Sequence, residues 1–287
     1  MLRAWKWTAL AFALVAGTAQ ASQIGPIGTY YLTDYENLTS FQSSLDAIRG
    51  NSYVQNTPIF QFQEGPIAVF NSPAVVRTTG YYFGVSGGEY AAVPSLTVSP
   101  TGPTYTNSLS GDLYYDSTTN GSVNFLVGLS LGGVISTSTT FGGTPTVLFN
   151  TGHVDDLGIT YDNTNNSLWI QNYETGVITD YTLGGGVITS FATVGGFNND
   201  GYGSTALALD VDHTLWFVDY GAGSIEHYTT SGTYLGSASY TGLGYVLGGE
   251  IAAANVPEPA SLTLFGIGAV GMVIGARQRR RQQKTAG

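Results

Sequence analysis

Between residues 22 and 255 the apolar positions come in runs of about five, broken by Gly, Asn, Asp and Thr, and no long stretch carries a helical period. The clearest block is 157–191. Leu157–Tyr161 is apolar and Leu168–Asn172 alternates; Val177–Leu183 follows a glycine turn and Val187–Phe191 follows Gly184-Gly185-Gly186. Short strands separated by Gly or Asn turns predict antiparallel hairpins, four strands to a block.

The block repeats. Ser167–Tyr173 reads SLWIQNY and Thr214–Tyr220 reads TLWFVDY, so Trp169 and Trp216 are 47 residues apart. Tyr173 and Tyr220, Gly176 and Gly223, Ile178 and Ile225, and Tyr181 and Tyr228 keep the same offset. Upstream, Gly158–Asp162 matches Ala208–Asp212 after a three-residue length change, which falls in a turn (Asn163–Asn166 against His213). A third copy, TYYLTDY, occupies Thr29–Tyr35, a weaker one Leu113–Leu126, and Val75–Val85 is a further candidate; Leu45–Pro66 matches poorly. Four strands at a period of about 40–50 residues predict β-propeller blades. The body from 22 to 255 then holds about five. Because the first copy starts at its second strand, the chain ends should share one blade, with Tyr245–Ala254 supplying the missing strand. A β-sandwich or a β-solenoid is the alternative. In general pattern, over Leu157–Ser239, the repeat resembles the NHL-type and lactonase-like propellers. In such a fold Trp169 and Trp216 are expected to pack between blades.

Composition narrows the function classes. The 287 residues contain no Cys, which excludes disulfide staples and cysteine-ligated metal. Forty glycines and a charged fraction of only 10% accompany 43% hydrophobic residues, enough for a large core. Of the nine cations only Arg49 and Arg77 lie in the body, against eighteen of the nineteen acids. Such a surface repels polyanions, and a nucleic-acid partner is excluded.

Catalytic chemistry is sparse. The chain has no Cys nucleophile and no HExxH, so no catalytic residue and no cofactor is assigned. His153, with Asp155 and Asp156 in a loop leading into a strand, is the one grouping with the donors for a metal or for acid–base work; a solvated loop is the plainer reading. His213 falls in a repeated turn, and His227 lies on a strand beside Glu226 with no evident partner. Asp162–Asn166 superficially resembles a calcium loop, but the twelfth position is Tyr173 and the sixth is Ser167, so an Asn-rich hairpin turn is expected. Phe197–Gly203 is polar and Gly-rich, a connection or a binding loop.

Both ends read as targeting segments. Residues 1–21 combine a short basic start, an apolar run near Ala9–Ala16 and the small-x-small Ala19-Gln20-Ala21, the pattern of a secretory signal peptide cut after Ala21. At the other end, Val256-Pro257-Glu258-Pro259 precedes an apolar helix, 260–276. Its uncharged stretch Leu262–Ala276 is about 22 Å long as a helix, and Arg277, Arg279, Arg280 and Arg281 follow at 277–281, before a tail at 282–287. The basic cluster holds the tail on the cytoplasmic side. Order and spacing over 256–281 resemble the PEP-CTERM sorting signal. The resemblance implies export by a Gram-negative bacterium that makes exopolysaccharide. It also implies cleavage near the motif by a membrane-embedded exosortase, after signal peptidase and a transient stay in the inner membrane. The expectation is an exported cell-surface or matrix protein whose propeller is a non-catalytic binding or structural module in the biofilm, with a polysaccharide or matrix protein as partner. A secreted metal-dependent propeller hydrolase or lactonase is the alternative, and a coat protein acting by abundance a third.

Overall fold

The structure, a computed structural model, describes residues 25–35, 43–56, 64–71, 74–81, 83–91, 96–108, 113–129, 131–142, 144–193, 203–219 and 223–252. The segment read as a signal peptide, the sorting segment and all of Phe197–Gly203 except Gly203 lie outside the described residues. No helix among the described residues is long and apolar enough to cross a membrane.

Four-stranded antiparallel sheets form wherever the sequence alternates apolar runs with Gly/Asn turns. Blade I contains β1 (Thr29–Tyr35), β2 (Ser43–Arg49) and β3 (Ser52–Asn56). Next come β4 (Glu64–Asn71), β5 (Ala74–Gly80), β6 (Ser86–Gly87), β7 (Glu89–Ala91), β8 (Ser99–Pro100) and β9 (Tyr105–Thr106). Blade II is β4-β5-β7-β8, while β6 and β9 form a separate two-stranded pair. Blade III is β10 (Leu113–Thr119), β11 (Val123–Leu129), β12 (Gly133–Ser138) and β13 (Thr146–Asn150). Blade IV is β14 (Asp156–Asp162), β15 (Ser167–Asn172), β16 (Val177–Thr182) and β17 (Val187–Ala192). Blade V is β18 (Ser204–Leu209), β19 (Thr214–Asp219), β20 (Ser224–Thr229) and β21 (Tyr234–Ser239). The last strand, β22 (Tyr245–Ala252), pairs antiparallel with β1 and becomes the innermost strand of blade I. The ring is thus closed by the two ends of the body sharing one blade. The innermost strands follow one another around the axis as β22, β4, β10, β14, β18 and back to β22. This closed five-bladed ring replaces the sandwich and solenoid alternatives.

Side chains alternate sides along a strand, so each blade feeds two different seams. The hydrophobic core is accordingly five clusters, one per seam, rather than one mass. On β15, Leu168 and Ile170 pack toward blade III while Trp169 packs toward blade V. On β19, Leu215 and Phe217 face blade IV and Trp216 faces blade I. On β1, Tyr30 and Leu32 face blade V and Tyr31 faces blade II. The repeated aromatic position is therefore an inter-blade wedge. In the seam between II and III, the Arg77 guanidinium lies over the Phe70 ring at 4.4 Å and its Nε pairs with Glu89 at 2.8 Å.

The turns obey local rules. Asp162 Oδ1 accepts from the Thr164 and Asn165 N–H groups, closing the turn after β14 as an Asx cap. Asn166 and His213 stand in left-handed conformation at the repeated turn, with φ of 53° and 60°. The calcium-like loop is a hairpin turn.

Each innermost strand carries a register shift near its start, in the pairs β22/β1, β4/β5, β10/β11, β14/β15 and β18/β19. Such bulges bend the strand and re-aim its side chains. Gly158 and Gly248 directly follow the bulge in β14 and β22; in β10 that place is taken by Asp116. A Cβ on Gly248 would sit 2.6 Å from the Gly65 carbonyl oxygen and 2.9 Å from Asp116 Oδ1.

Gly248→Ala is expected to destabilise the fold by about 1–3 kcal/mol through overpacking at the axis, measured by denaturant unfolding; unchanged stability would contradict the close approach. Trp169→Ala and Trp216→Ala should each cost about 3–5 kcal/mol. Because they fill different seams, their effects should add in the double variant; strong non-additivity would argue against separate clusters.

Candidate functional site

The axis is polar because the inner strands have no neighbour on that side. Their free backbone groups are met by side chains of the next blade. A Ser or Thr hydroxyl bridges each seam. Thr33 donates to the Gly65 carbonyl at 2.6 Å (I–II), and Ser117 to the Ile67 carbonyl at 2.8 Å (II–III). Thr118 accepts from the Tyr161 N–H at 3.1 Å (III–IV) and Thr160 from the Leu209 N–H at 3.2 Å (IV–V). Thr205 donates to the Val246 carbonyl at 2.7 Å (V–I).

Asp116 crosses the axis. Its carboxylate accepts from Ile159 N–H on β14 at 3.0 Å, from Gly249 N–H on β22 at 2.9 Å and from its neighbour Ser117 N–H at 2.9 Å. It is wholly buried, and burial pushes its pKa well above the usual carboxylate range; the three N–H donors pull the other way and the nearby Glu250 adds to the rise.

Glu250 lies toward the C-terminal ends of the inner strands, with 7% of its surface exposed. The Thr160 hydroxyl donates to its Oε1 at 2.9 Å and the Ile251 N–H adds a bond at 3.2 Å, while Oε2 makes no hydrogen bond. Burial pushes the carboxyl up to about 8, offset in part by the Thr118 and Thr160 hydroxyls nearby and by the Ile251 N–H. At neutral pH it is a carboxylic acid, able to donate as well as accept. It is one of the residues lining a funnel of about 560 Å³ whose wall draws on the ends of all five inner strands and the turns after β10, β14 and β18. Phe70, Tyr161, Asn120, Asn163 and His213 are among the side chains around it. Asp210 also borders it, but its oxygens already accept from the Ile27, Gly28 and Val211 N–H groups at 2.6, 2.9 and 2.7 Å.

The sequence-selected residues lie elsewhere. His153 is exposed in the loop before β14, at the opposite end of the inner strands. Asp155 is half-buried with φ of 65°. Asp156 is buried, accepting from the Thr151 hydroxyl at 2.6 Å and the Asn172 amide at 3.0 Å, so it closes the loop onto β15. Burial raises its pKa, while those two donors and His153 oppose the rise. Among the described residues no group of three His, Asp or Glu is placed to hold a metal. The partner that sequence reading could not find for His227 is Trp216: the rings stack at 3.7 Å and 8°, and burial holds the imidazole pKa below its ordinary value.

Asp116 and Glu250 were not singled out from sequence. Glu250 had a signal: it is the only charge in the otherwise uncharged strand Tyr245–Ala252. Asp116 had a fainter one, standing where the better-matched repeat has Gly158.

The PEP-CTERM protein-sorting motif matches residues 255–281, so the chain carries this signal, which implies export and processing by an exosortase. No curated protein matches the chain. Among solved structures, it is similar to a chain of a nidogen/laminin complex, at 12% identity over 79% of this chain and 99% of that one, with a TM-score of 0.50. It is also similar to virginiamycin B lyase from Staphylococcus aureus (16% identity, 77% and 72% of the two chains, TM-score 0.41) and to the WD40 propeller domain of Doa1 (10%, 74% and 66%, TM-score 0.39). The first of these likenesses supports the fold.

The raised Glu250 carboxyl has a consequence for stability. Between its ordinary value of 4.5 and about 8 the folded chain holds a proton that the unfolded chain has released. Its stabilising contribution is therefore complete below about 4.5 and is lost as pH rises toward 8, by roughly 1.4 kcal/mol per unit. Unfolding free energy should fall from about pH 5 to about pH 8, and Glu250→Gln should flatten that slope. A stability that rises over this range, or an unchanged slope in the variant, would refute the assignment.

Proposed function

We propose that this chain is an exported protein of the cell surface or extracellular matrix, released or transferred by an exosortase at Val256–Pro259, whose propeller acts as a non-catalytic binding or structural module in an exopolysaccharide matrix. The observation that carries it is the sorting motif at 255–281 attached to a ring-closed propeller. Three features support the absence of catalysis. Asp116 is engaged by three backbone N–H groups, Asp156 by Thr151 and Asn172, and Asp210 by three further N–H groups. These carboxylates hold the scaffold together. A binding or structural role also fits the acidic, cation-poor body, which would not be captured by anionic membrane or nucleic acid before reaching the outside. The path is then signal peptidase after Ala21, a stay in the inner membrane through 260–276 with Arg277–Arg281 inside, and cutting near the PEP motif.

The termini of the native protein, recovered from medium and cell surface, test this by mass spectrometry. The expected chain begins near Ser22 and ends near Pro257–Pro259. A chain that keeps Leu262–Gly287 would make the segment a plain anchor and contradict release into the matrix.

A further inference from the structure

A small-molecule site needs a concave space of about 300–1,000 Å³ and a few polar groups aimed into it. The funnel of about 560 Å³ at the C-terminal ends of the inner strands meets the first condition. Glu250 meets the second: it is over nine-tenths buried, it lines the funnel, and its Oε2 has no hydrogen-bond partner. A buried polar atom left unmatched is costly, and a small turn of the side chain toward a ligand hydroxyl recovers that cost.

The chemistry of the wall selects the ligand. No Lys or Arg is among the described residues lining the funnel, so an anion would meet no counter-charge. The second bordering carboxylate, Asp210, is committed to three backbone N–H groups, which leaves one free acid oxygen and no cage for a cation. What remains are the amide N–H groups of Asn120, the Asn163 amide and the His213 imidazole, beside the apolar surfaces of Phe70 and Tyr161. Alternating hydroxyl and C–H faces are the chemistry of a sugar ring. We propose that this funnel is a binding site for a neutral sugar residue, with Glu250 in its lining as the group that hydrogen-bonds the ligand hydroxyl. The inference rests on the binding-module reading above and gives that module its site.

Calorimetric titration of the intact chain tests it with methyl glucoside, maltotriose and N-acetylchitotriose as neutral probes, and trigalacturonate and glucosamine trimer as charged ones. At least one neutral probe should bind saturably and both charged probes at least tenfold more weakly. Glu250→Gln, whose amide both donates and accepts, should keep binding within a few-fold, and Glu250→Leu should lose at least tenfold. Asn163→Trp, on an exposed turn at the rim, should block binding with unchanged thermal melting, which covers the case in which Glu250→Leu fails to fold. Binding of a neutral probe that survives both Glu250→Leu and Asn163→Trp would overturn the site while leaving the module reading intact. Preference for trigalacturonate would overturn the ligand class, and no binding of any neutral probe would overturn the proposal.

Discussion

A propeller leaves one edge of every innermost strand unpaired around its axis. Those N–H and C=O groups are buried, and a buried backbone group without a partner is costly. The rest of the structure follows from how this chain meets that constraint. Its five seams are each bridged by a Ser or Thr hydroxyl to the backbone of the adjoining blade. Asp116 then links β10 to β14 and to β22, tying together three blades across the axis. The bulge that opens each inner strand aims these side chains, and glycine at 248 leaves room for the Asp116 carboxylate.

The outer parts answer a different demand. Five separate hydrophobic seams hold neighbouring blades, so each blade depends on both of its neighbours and the ring depends on closure. Closure is supplied by β22 pairing with β1, two strands separated by nearly the whole body. The same polar axis widens toward the C-terminal ends of its strands, where Glu250 is left with one oxygen unmatched. The sorting motif at 255–281 implies export of this cation-poor ring.

Much of the fold was legible because period-2 alternation and turn residues are local signals. The four strands of blade IV were placed from Leu157–Phe191 to within a residue at each end, and the shared blade was placed from the truncated first copy at Thr29–Tyr35. Trp169 and Trp216 were read as inter-blade residues because a repeated large aromatic needs a repeated environment. Blade II was harder: its third and fourth strands are Glu89–Ala91 and Ser99–Pro100, too short for an alternation to register. The axis was not legible either. Asp116 meets Ile159 and Gly249, 43 and 133 residues away, and no local pattern marks such a contact. Sequence reading offered only His153, Asp155 and Asp156 as a grouping, because adjacent titratable residues look like a site, with a solvated loop as the plainer reading. The ring sets that loop and the funnel at opposite ends of the inner strands, and Asp156 is occupied in closing its own loop.

The central claim is that one carboxylate serves backbone groups in three blades. Hydrogen–deuterium exchange of the Asp116→Ala variant against the parent chain tests it most directly. The expected result is faster exchange at the Ile159 and Gly249 amides, far apart in sequence, with the outer strands β17 and β21 unchanged. Faster exchange confined to the segment around residue 116, with both distant amides as protected as before, would contradict the account.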